Sequence, residues 1–363
     1  MERHGKAPQF VEHQSEPFNG GVPASMLRET FITPYARFYV RSHAPHIPEI
    51  NPAAYRLAIT GQVRLPLALA LDTLKRDFAP VTVTATLQCA GNRRSELHAV
   101  RPMPGESVMW RDEAISTAEW TGVRLADVLS YAQADGLHVA FTSLDACEKD
   151  GRTFGYGGSI PIDKALSPDV LLAYAMNGEA LQPVHGFPLR VVVPGYIAAR
   201  SVKWLGTIHV QDLPSDNFFQ SRDYKLFPPD VTGQTPVDWS QGEMLGGLRT
   251  DALITAPGDG ATLNAGPVTV TGYAMPGEGA LITGVEISAD DGATWTAARL
   301  ITEPAAHVWA FWEGQITLPA GTHRLTVRVH DSRGSVQPVT AADAWNFRGY
   351  MNNARHRVHV TVV

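Results

Sequence analysis

Short stretches in which apolar and polar residues alternate, each closed by turn-forming residues, limit most strongly how this chain can fold. They include VTVTATLQC (81–89), PVTVTGYA (267–274) and HRLTVRVHD (323–331). Alternation with a period of two is typical of a strand that has one face on a core. Because the 363 residues also contain 32 glycines and 26 prolines, we predict many short strands rather than a few long helices.

The pattern changes along the chain and divides it into four segments. Residues 1–50, rich in Pro, Gly, His and polar residues, predict an extended N-terminal arm packed on a larger body. Residues 51–230 combine strand and helix patterns, so we predict a mixed α+β domain there. Residues 231–250 have little periodicity and predict a linker. Residues 251–363 contain only strand patterns, with turn residues at 290–292 and 319–321, and predict an all-β immunoglobulin-like sandwich.

Three segments of the α+β region have apolar residues at helical spacing. They are LALDTLKRDF (69–78), WTGVRLADVLSYAQADG (120–136) and DKALSPDVLLAYAMNG (163–178). We predict a short helix in each, with Asp72 as the N-terminal cap of the first. The third helix is expected to end at Gly178.

Charge and hydropathy exclude several kinds of partner. The chain has 30 basic and 36 acidic residues, a net charge of -6. Proteins that bind nucleic acids or anionic membranes carry a basic excess, so we predict neither partner. No apolar run reaches the roughly 18 residues that a membrane-spanning helix needs. The N-terminus shows no apolar core of a signal peptide, so we expect a cytoplasmic protein, or a periplasmic one if a leader has been removed.

The two cysteines narrow the possible chemistry. Cys89 and Cys147 are too few for a disulfide framework and too far apart for a paired-cysteine zinc motif, although a single bridge between them remains open. The histidines have no metal-ligand spacing. The chain also lacks a phosphate-binding GxxxxGK[ST] loop, an HExxH motif, a GxSxG motif and a helix-opening GxGxxG motif.

The segment QCAGNRR (88–94) directly follows the predicted strand 81–89. Backbone amides and two arginines beside Cys89 would favour the thiolate, which is either a nucleophile or a soft metal ligand. The alternative is a small buried cysteine with no chemical role. The adjacent arginine pair favours the first interpretation, because two guanidinium groups call for an anion.

Several long motifs in the chain, occurring in a fixed order, resemble the sulfite oxidase family. They are QCAGNRR, Trp110 with AISTAEW, HGFPLRVVVPGYIAARSVKWLG (185–206), RDYK (222–225) and WNFRGYMNNARHRVHV (345–360). The resemblance covers nearly the whole chain. It implies a molybdopterin-binding domain with the sulfite oxidase fold, followed by the dimerisation domain of that family, and hence a homodimer.

The resemblance also implies a molybdenum-molybdopterin cofactor and the residues that bind it. Cys89 would ligate the molybdenum, which suits a soft thiolate on a metal already held by sulfur. The other implied cofactor-binding residues are Tyr39, Val40, Arg41, Ser42, His43, Asp145, His185, Arg190, Ser201, Val202 and Lys203. Viewed without their motifs, His185 would be a core or turn histidine and Asp145 a solvated loop acid.

For the reaction, the resemblance implies oxidation of sulfite to sulfate by oxygen-atom transfer. Arg41, Arg94 and Arg348 would grip the oxyanion, with Trp110 and Tyr224 beside them, because charge-assisted hydrogen bonds can hold its oxygens and leave the sulfur free. Taken alone, Tyr224 would be a packed rim aromatic and Arg348 a surface arginine. The electrons would pass to an external acceptor, either dioxygen or a cytochrome, and no heme motif is present.

Two other functions remain open at this point. One is a related molybdopterin reductase that acts on nitrate or a sulfoxide. The other is a non-enzymatic protein that binds an oxyanion or a partner through its β-sandwich.

Overall fold

A computed structural model describes residues 3–105, 108–234 and 236–363. Helices in these parts of the chain are few and short. The α-helices are α1 (Ala24–Leu27), α2 (Leu71–Asp77), α3 (Arg94–Val100), α4 (Leu125–Tyr131) and α5 (Ile162–Ala165). Tighter 3₁₀ turns occupy Arg3–Gly5, Pro183–His185, Ala198–Arg200 and Trp239–Gln241, and a π-helical turn occupies Phe219–Asp223.

Strands carry most of the regular structure. Those before residue 250 are β1 (Val11–Gln14), β2 (Asn19–Gly21), β3 (Arg56–Gly61), β4 (Leu67–Ala70), β5 (Pro80–Gln88), β6 (Ile115–Arg124), β7 (His138–Ser143), β8 (Cys147–Lys149), β9 (Arg152–Phe154), β10 (Gly157–Pro161), β11 (Leu171–Met176), β12 (Glu179–Ala180), β13 (Arg190–Val192), β14 (Leu205–Gln211), β15 (Lys225–Leu226) and β16 (Glu243–Met244). Those after it are β17 (Asp251–Ala256), β18 (Ala261–Leu263), β19 (Gly266–Met275), β20 (Ile282–Ser288), β21 (Thr296–Leu300), β22 (Ala310–Leu318), β23 (Gly321–Asp331) and β24 (Arg357–Val362).

Two sheets build the first part of the chain. One has the order β10-β7-β14-β3-β4, in which only β14 and β3 run parallel. The other has the order β12-β11-β6-β5, with β13 also paired to β11. The loops that follow β5, β7 and β13 leave the ends of these strands, and they carry five of the predicted cofactor-binding residues: Cys89, Asp145, Ser201, Val202 and Lys203. The mixed, strand-rich character that the sequence predicts for this region is confirmed.

The strands from β17 onward form one eight-stranded path in the order β17-β19-β22-β21-β20-β23-β24-β18. Apolar side chains alternate inward along β23, where Leu325, Val327 and Val329 are buried. The predicted turn at 319–321 joins β22 to β23, but these strands pair with different neighbours, so the turn carries the chain from one part of the sheet to another.

The two parts of the chain share a core. Leu253, Tyr273 and Trp309 from the later strands belong to the same buried apolar cluster as Leu57 and Val191 from the earlier sheets. The indole Nε1 of Trp309 donates to the carbonyl of Phe31 at 3.1 Å. Burial of this much apolar surface across the junction stabilises the two parts as one folded body.

Two local predictions were wrong. The predicted helix over 163–178 is helical only in α5, and its second half is strand β11. Pro168 cannot continue a helix, and Leu171, Leu172 and Ala173 are completely buried between β6 and β13, where pairing on both sides outweighs local helix propensity. Asp72 lies inside the first turn of α2, and the cap position is Ala70.

In the described residues, no helix has the length and apolar character needed to cross a membrane.

Candidate functional site

An inner cavity opens where the ends of the two sheets in the first part of the chain meet the N-terminal arm. Most of the site residues predicted from the sequence line this cavity. They are Tyr39, Val40, Arg41, Ser42, His43, Cys89, Asp145, His185, Arg190, Ser201, Lys203 and Tyr224. Residues that are more than 150 positions apart in the sequence therefore meet around one space.

Cys89 lies at the wall of this cavity, directly after β5. Its amide donates to the carbonyl of Ala114 at 2.9 Å, which continues the pairing of β5 with β6. The chain then turns sharply, and the amide of Gly91 donates to Cys89 Sγ at 3.4 Å. The thiol is free and only 6% exposed. It is thus held by backbone contacts with its sulfur beside the cavity, as a single fixed ligand must be.

Among the cations that line the inner cavity are Arg190, which is buried, and Lys203, which is partly buried. Lys203 Nζ donates to Ser42 Oγ at 2.9 Å and to a carbonyl, and Arg190 donates to the carbonyls of His185 and Ser201 at 3.1 and 3.0 Å. Within the described ranges neither cation forms an ion pair. Burial lowers the pKa of Arg190 to about 10 and that of Lys203 well below its ordinary value. An anionic ligand would compensate this charge.

Asp145 is the acid that lines this cavity. Its Oδ1 accepts from the amide of Tyr156 at 2.7 Å, and burial raises its pKa. The thiol of Cys147 lies 3.9 Å from Asp145 Oδ2, and burial, followed by the Asp145 charge, raises the Cys147 pKa to about 12. Cys147 therefore stays a neutral, buried thiol.

A wider outer cavity, open to solvent, adjoins the inner one. Arg41 and His43 line both, and Arg94, Lys149, Asp223, Arg348 and Tyr350 also line the outer cavity. The shared wall formed by Arg41 and His43 means that a ligand entering from solvent meets these two side chains before it reaches Cys89.

The guanidinium groups of Arg94 and Arg348 both lie near the ring of Tyr350. Their guanidinium carbons lie 5.0 and 5.5 Å from the centre of the Tyr350 ring. Arg94 Nη1 donates to the carbonyl of Val108 at 2.8 Å, while Arg348 forms an ion pair with Asp223. The Nε atom of each arginine is buried and finds no acceptor in the described structure. Both guanidinium groups thus keep donor capacity for a further acceptor.

Two glycines allow Arg94 to reach this position. A Cβ atom at Gly91 would lie 2.6 Å from Arg94 Nη2, and one at Gly349 would lie 2.7 Å from Arg94 Cγ. Contacts this short do not occur, so a side chain at either position would displace the arginine.

Tyr224 and His43 join the two cavities. Tyr224 is 2% exposed, and its hydroxyl lies 3.0 Å from His43 Nε2. Burial, followed by the charge of Arg41, lowers the pKa of His43 well below its ordinary value. His43 is therefore neutral, and Tyr224 stacks on Tyr350 with ring centres 5.3 Å apart.

The two consecutive arginines of QCAGNRR have different partners. Arg93 is completely buried and binds Glu96 and Asp251, with Nη1 2.7 Å from Asp251 Oδ1. The anion that the sequence suggested for this pair is, for Arg93, a pair of carboxylates of the protein itself. Only Arg94 faces the outer cavity.

Two predicted residues do not line either cavity. Trp110 is fully buried, packs in one cluster with Cys89 and Tyr39, and stands edge-on to His13 at 5.2 Å. It supports the site from behind rather than standing beside a substrate. Val202 is also buried and contributes its carbonyl to pairing with Val191.

Sequence reasoning missed several residues of the site. Tyr350 follows Arg348 by two positions in a motif already noted, so the motif could have indicated it. Asp223 lies in the RDYK motif already noted, so that motif could have indicated it as well, whereas Lys6 and Tyr156 belong to no motif. Lys6 reaches His185 across 179 residues of sequence, and only the folded arm brings them together.

Comparison with known proteins agrees with this geometry. Residues 43–219 match the oxidoreductase molybdopterin binding domain, and residues 243–363 match the Mo-co oxidoreductase dimerisation domain. The mitochondrial sulfite oxidase of Macaca fascicularis is 43% identical over 98% of this chain and 66% of its own length, and the sulfite oxidase of Arabidopsis thaliana is 38% identical over 97% and 93%. The chain belongs to the sulfite oxidase family.

This sulfite oxidase family member also resembles a solved structure. The sulfane dehydrogenase SoxCD of Paracoccus pantotrophus superposes with a TM-score of 0.80 at 27% identity, over 98% of this chain and 86% of that one. The chain spans 66% of the length of the macaque relative.

The inner cavity of this family member fits molybdopterin. Arg190 and Lys203, which form no ion pair in the described residues, suit the phosphate of that cofactor, and Cys89 provides one soft ligand for a metal that the cofactor's own sulfurs also hold. In the described segments, no group of three or more His, Cys, Asp or Glu side chains could bind a metal ion by itself. A metal at Cys89 would therefore take its remaining ligands from a cofactor.

Proposed function

We propose that this chain oxidises sulfite to sulfate with a molybdopterin cofactor bound in the inner cavity and its molybdenum ligated by Cys89. The observation that carries the proposal is the junction of two cavities. The inner cavity has two cations, Arg190 and Lys203, that form no ion pair in the described residues and lie beside a fixed thiol, and the outer cavity has arginines with unused donors. When bound, molybdopterin supplies the metal that exchanges an oxygen atom and two electrons with the substrate.

The residues of the chain position the reactants. Arg41, Arg94 and Arg348 provide permanently charged donors for a small oxyanion, which leaves the sulfur of sulfite free to face the metal. Sulfite gains one oxygen atom, derived from water, and loses two electrons to an external acceptor, which we propose to be dioxygen or a cytochrome. Neutral His43 and the Tyr224 hydroxyl add donors and acceptors whose charge does not change near neutral pH.

Metal analysis and turnover test the proposal. Protein from a host that makes the cofactor should contain one molybdenum per chain and reduce ferricyanide when sulfite is added. Cys89→Ser should abolish turnover. Cys147 is also buried, and the control substitution Cys147→Ser should leave turnover intact. Protein without molybdenum would refute the enzymatic function in favour of oxyanion binding. Oxidation of a reduced dye by nitrate or a sulfoxide, without sulfite turnover, would show a reductase instead.

The role of Arg94 is tested by the substitution Arg94→Gln. Removing one charge-assisted hydrogen bond from the substrate costs about 2 kcal/mol, so kcat/KM for sulfite should fall about thirtyfold, with most of the change in KM. Arg299→Gln, on the surface of β21, is the matched control and should leave both constants unchanged. An unchanged KM in Arg94→Gln would remove Arg94 from the binding site.

We further propose that residues 251–363 form an immunoglobulin-like sandwich through which two copies dimerise. The match of residues 243–363 to the dimerisation domain supports this proposal. Light scattering at micromolar concentration should give twice the chain mass of 39.4 kDa. A monomer would contradict it.

A further inference from the structure

Lys6, in the N-terminal arm, is buried against the wall of the inner cavity. It is 3% exposed, and its Nζ lies 2.8 Å from the carbonyl oxygen of Tyr35, 3.0 Å from that of Phe38 and 2.9 Å from His185 Nε2. An ammonium group has three protons, and these three acceptors use all of them. The ring of Tyr35 also lies 4.3 Å from Nζ.

The arm is tied down around Lys6 by further contacts. The amide of Ala7 donates to the carbonyl of Ala36 at 2.9 Å, and the Tyr35 hydroxyl donates to the carbonyl of His4 at 3.1 Å. The lysine therefore approaches His185 from a fixed backbone, not from a free end.

The contact determines the protonation of His185. The imidazole is fully buried, and burial, followed by the charges of Lys6 and Lys203, lowers its pKa well below the ordinary value, so the ring is neutral. A neutral imidazole has one donor nitrogen and one acceptor nitrogen. When the ammonium of Lys6 donates to Nε2, the ring proton is on Nδ1, and Nδ1 is the nitrogen left for the cavity that His185 lines.

We propose that Lys6 is a positioning residue that fixes His185 as the Nδ1-protonated tautomer, so that His185 donates a hydrogen bond to an acceptor oxygen of the bound molybdopterin. This inference rests on the proposed function, because it takes the cofactor as the ligand. It makes the N-terminal arm part of the cofactor site. A second-layer partner that sets the tautomer of a ligand-binding histidine is a recurrent device in cofactor and metal sites.

The charge of Lys6 is consistent with this arrangement in the loaded protein. Burial lowers the pKa of Lys6 to about 7. A phosphate bound in the same cavity opposes that shift, since a nearby anion stabilises an ammonium group. A neutral Lys6 amine would give the reverse arrangement, in which Nε2 carries the proton.

The tautomer can be measured directly. Nitrogen-15 labelling of histidine distinguishes protonated from unprotonated ring nitrogens, and His185→Gln identifies the signals of His185 by their loss. We expect an Nδ1 proton and an unprotonated Nε2 in the wild-type protein. A proton on Nε2 would overturn the inference, and this measurement does not depend on any variant of Lys6 folding.

The rate at which the protein releases its cofactor tests whether Lys6 contributes to molybdopterin binding through His185. Lys6→Met should release the pterin about tenfold faster than wild type, because the cavity loses an oriented donor. The fluorescence of the oxidised pterin measures the release. Lys75→Met is the matched control: Lys75 is exposed, and its Nζ lies 4.8 Å from the Tyr174 ring. It should release pterin at the wild-type rate.

A double-mutant cycle separates positioning from simple structural support. Lys6→Met also leaves the Tyr35 and Phe38 carbonyls without a donor, and that effect does not depend on His185. In a His185→Ala background, Lys6→Met should therefore change the release rate by less than about twofold. If Lys6→Met accelerated pterin release equally in both backgrounds, the inference about Lys6 would be overturned but the proposed function would stand. A wild-type protein that holds no pterin would refute the proposed function itself.

Discussion

The buried ion pair between Arg93 and Asp251 predicts a large loss of stability in the variant Asp251→Ala. Arg93 is completely buried, Asp251 is 2% exposed, and their N–O distance is 2.7 Å. Arg93 belongs to the loop after Cys89, and Asp251 is the first residue of β17. The pair therefore fastens the loop that carries the thiol to the all-β part of the chain.

The magnitude follows from what the substitution leaves behind. Removing one partner of a buried ion pair costs about 3–5 kcal/mol, because the other charge stays buried without compensation. Glu96 still binds Arg93 through two contacts of 2.8 Å. We therefore expect the low end of the range, about 3 kcal/mol in the free energy of unfolding.

Urea unfolding monitored by tryptophan fluorescence measures this loss. Asp77→Ala is the control, because Asp77 pairs with Arg76 at the same 2.7 Å but with 47% and 69% of the side chains exposed. An exposed pair contributes up to about 1 kcal/mol. The double variant Arg93→Met with Asp251→Ala should be more stable than Asp251→Ala alone. If Asp251→Ala lost no more than Asp77→Ala, the stabilising role of this pair would be refuted.

Three further substitutions test the electrostatics of the site and of the protein. Asp223→Asn removes the carboxylate paired with Arg348, so KM for sulfite should fall by about two- to fivefold at low ionic strength and converge on wild type in high salt, as steady-state rates will show. Tyr224→Phe removes the contact to His43, and kcat/KM should fall about fivefold, the equivalent of one neutral hydrogen bond; no change would exclude a role for the hydroxyl. Burial, followed by the charge of Glu113, raises the pKa of Asp112 to about 6. Ionisation of Asp112 therefore destabilises the folded state: the wild-type protein has its full stability below pH 4 and loses part of it as pH rises through 6. Asp112→Asn should melt like wild type at pH 4 and be about 1–3 kcal/mol more stable than wild type at pH 8.

The parts of the site that the sequence predicted are those in which one short segment carries several functional groups. Tyr39 to His43 and the loop at Cys89 each place neighbouring residues around one cavity, so a linear motif is sufficient to indicate them. Lys6 escaped prediction because a single charged residue has no periodicity, and the RDYK motif that contains Asp223 does not reveal that its partner is Arg348. Their roles depend on contacts with His185 and Arg348, which lie far away in sequence.

The fold was predictable where the local pattern and the tertiary environment agree. Both β5 and β23 lie where the alternating pattern indicates a strand. In β23 the apolar residues Leu325, Val327 and Val329 face the core, whereas the second half of β5, residues 85–88, is buried at every position. The segment 163–178 shows the opposite case. Its apolar residues satisfy helical spacing, but β11 is buried between two other strands, and no property of the segment alone reveals those neighbours.

The backbone at Arg93 has a consequence for how tolerant this loop is to changes in length. Its φ of 62° lies in the left-handed region, which few residues with a side chain adopt, and it reverses the direction of the chain at the start of α3. Arg93 thus turns toward the protein interior while Arg94 turns toward the solvent-filled cavity. The spacing from Cys89 sets the role of each arginine: Arg93, four residues after Cys89, forms the buried ion pair, and Arg94, five residues after it, is available to an anion in the outer cavity. Deletion of a single residue between Cys89 and Arg93 would place Arg94 four residues after Cys89, at the position of the buried ion pair, and Ser95 five residues after it, so the outer cavity would lose an arginine.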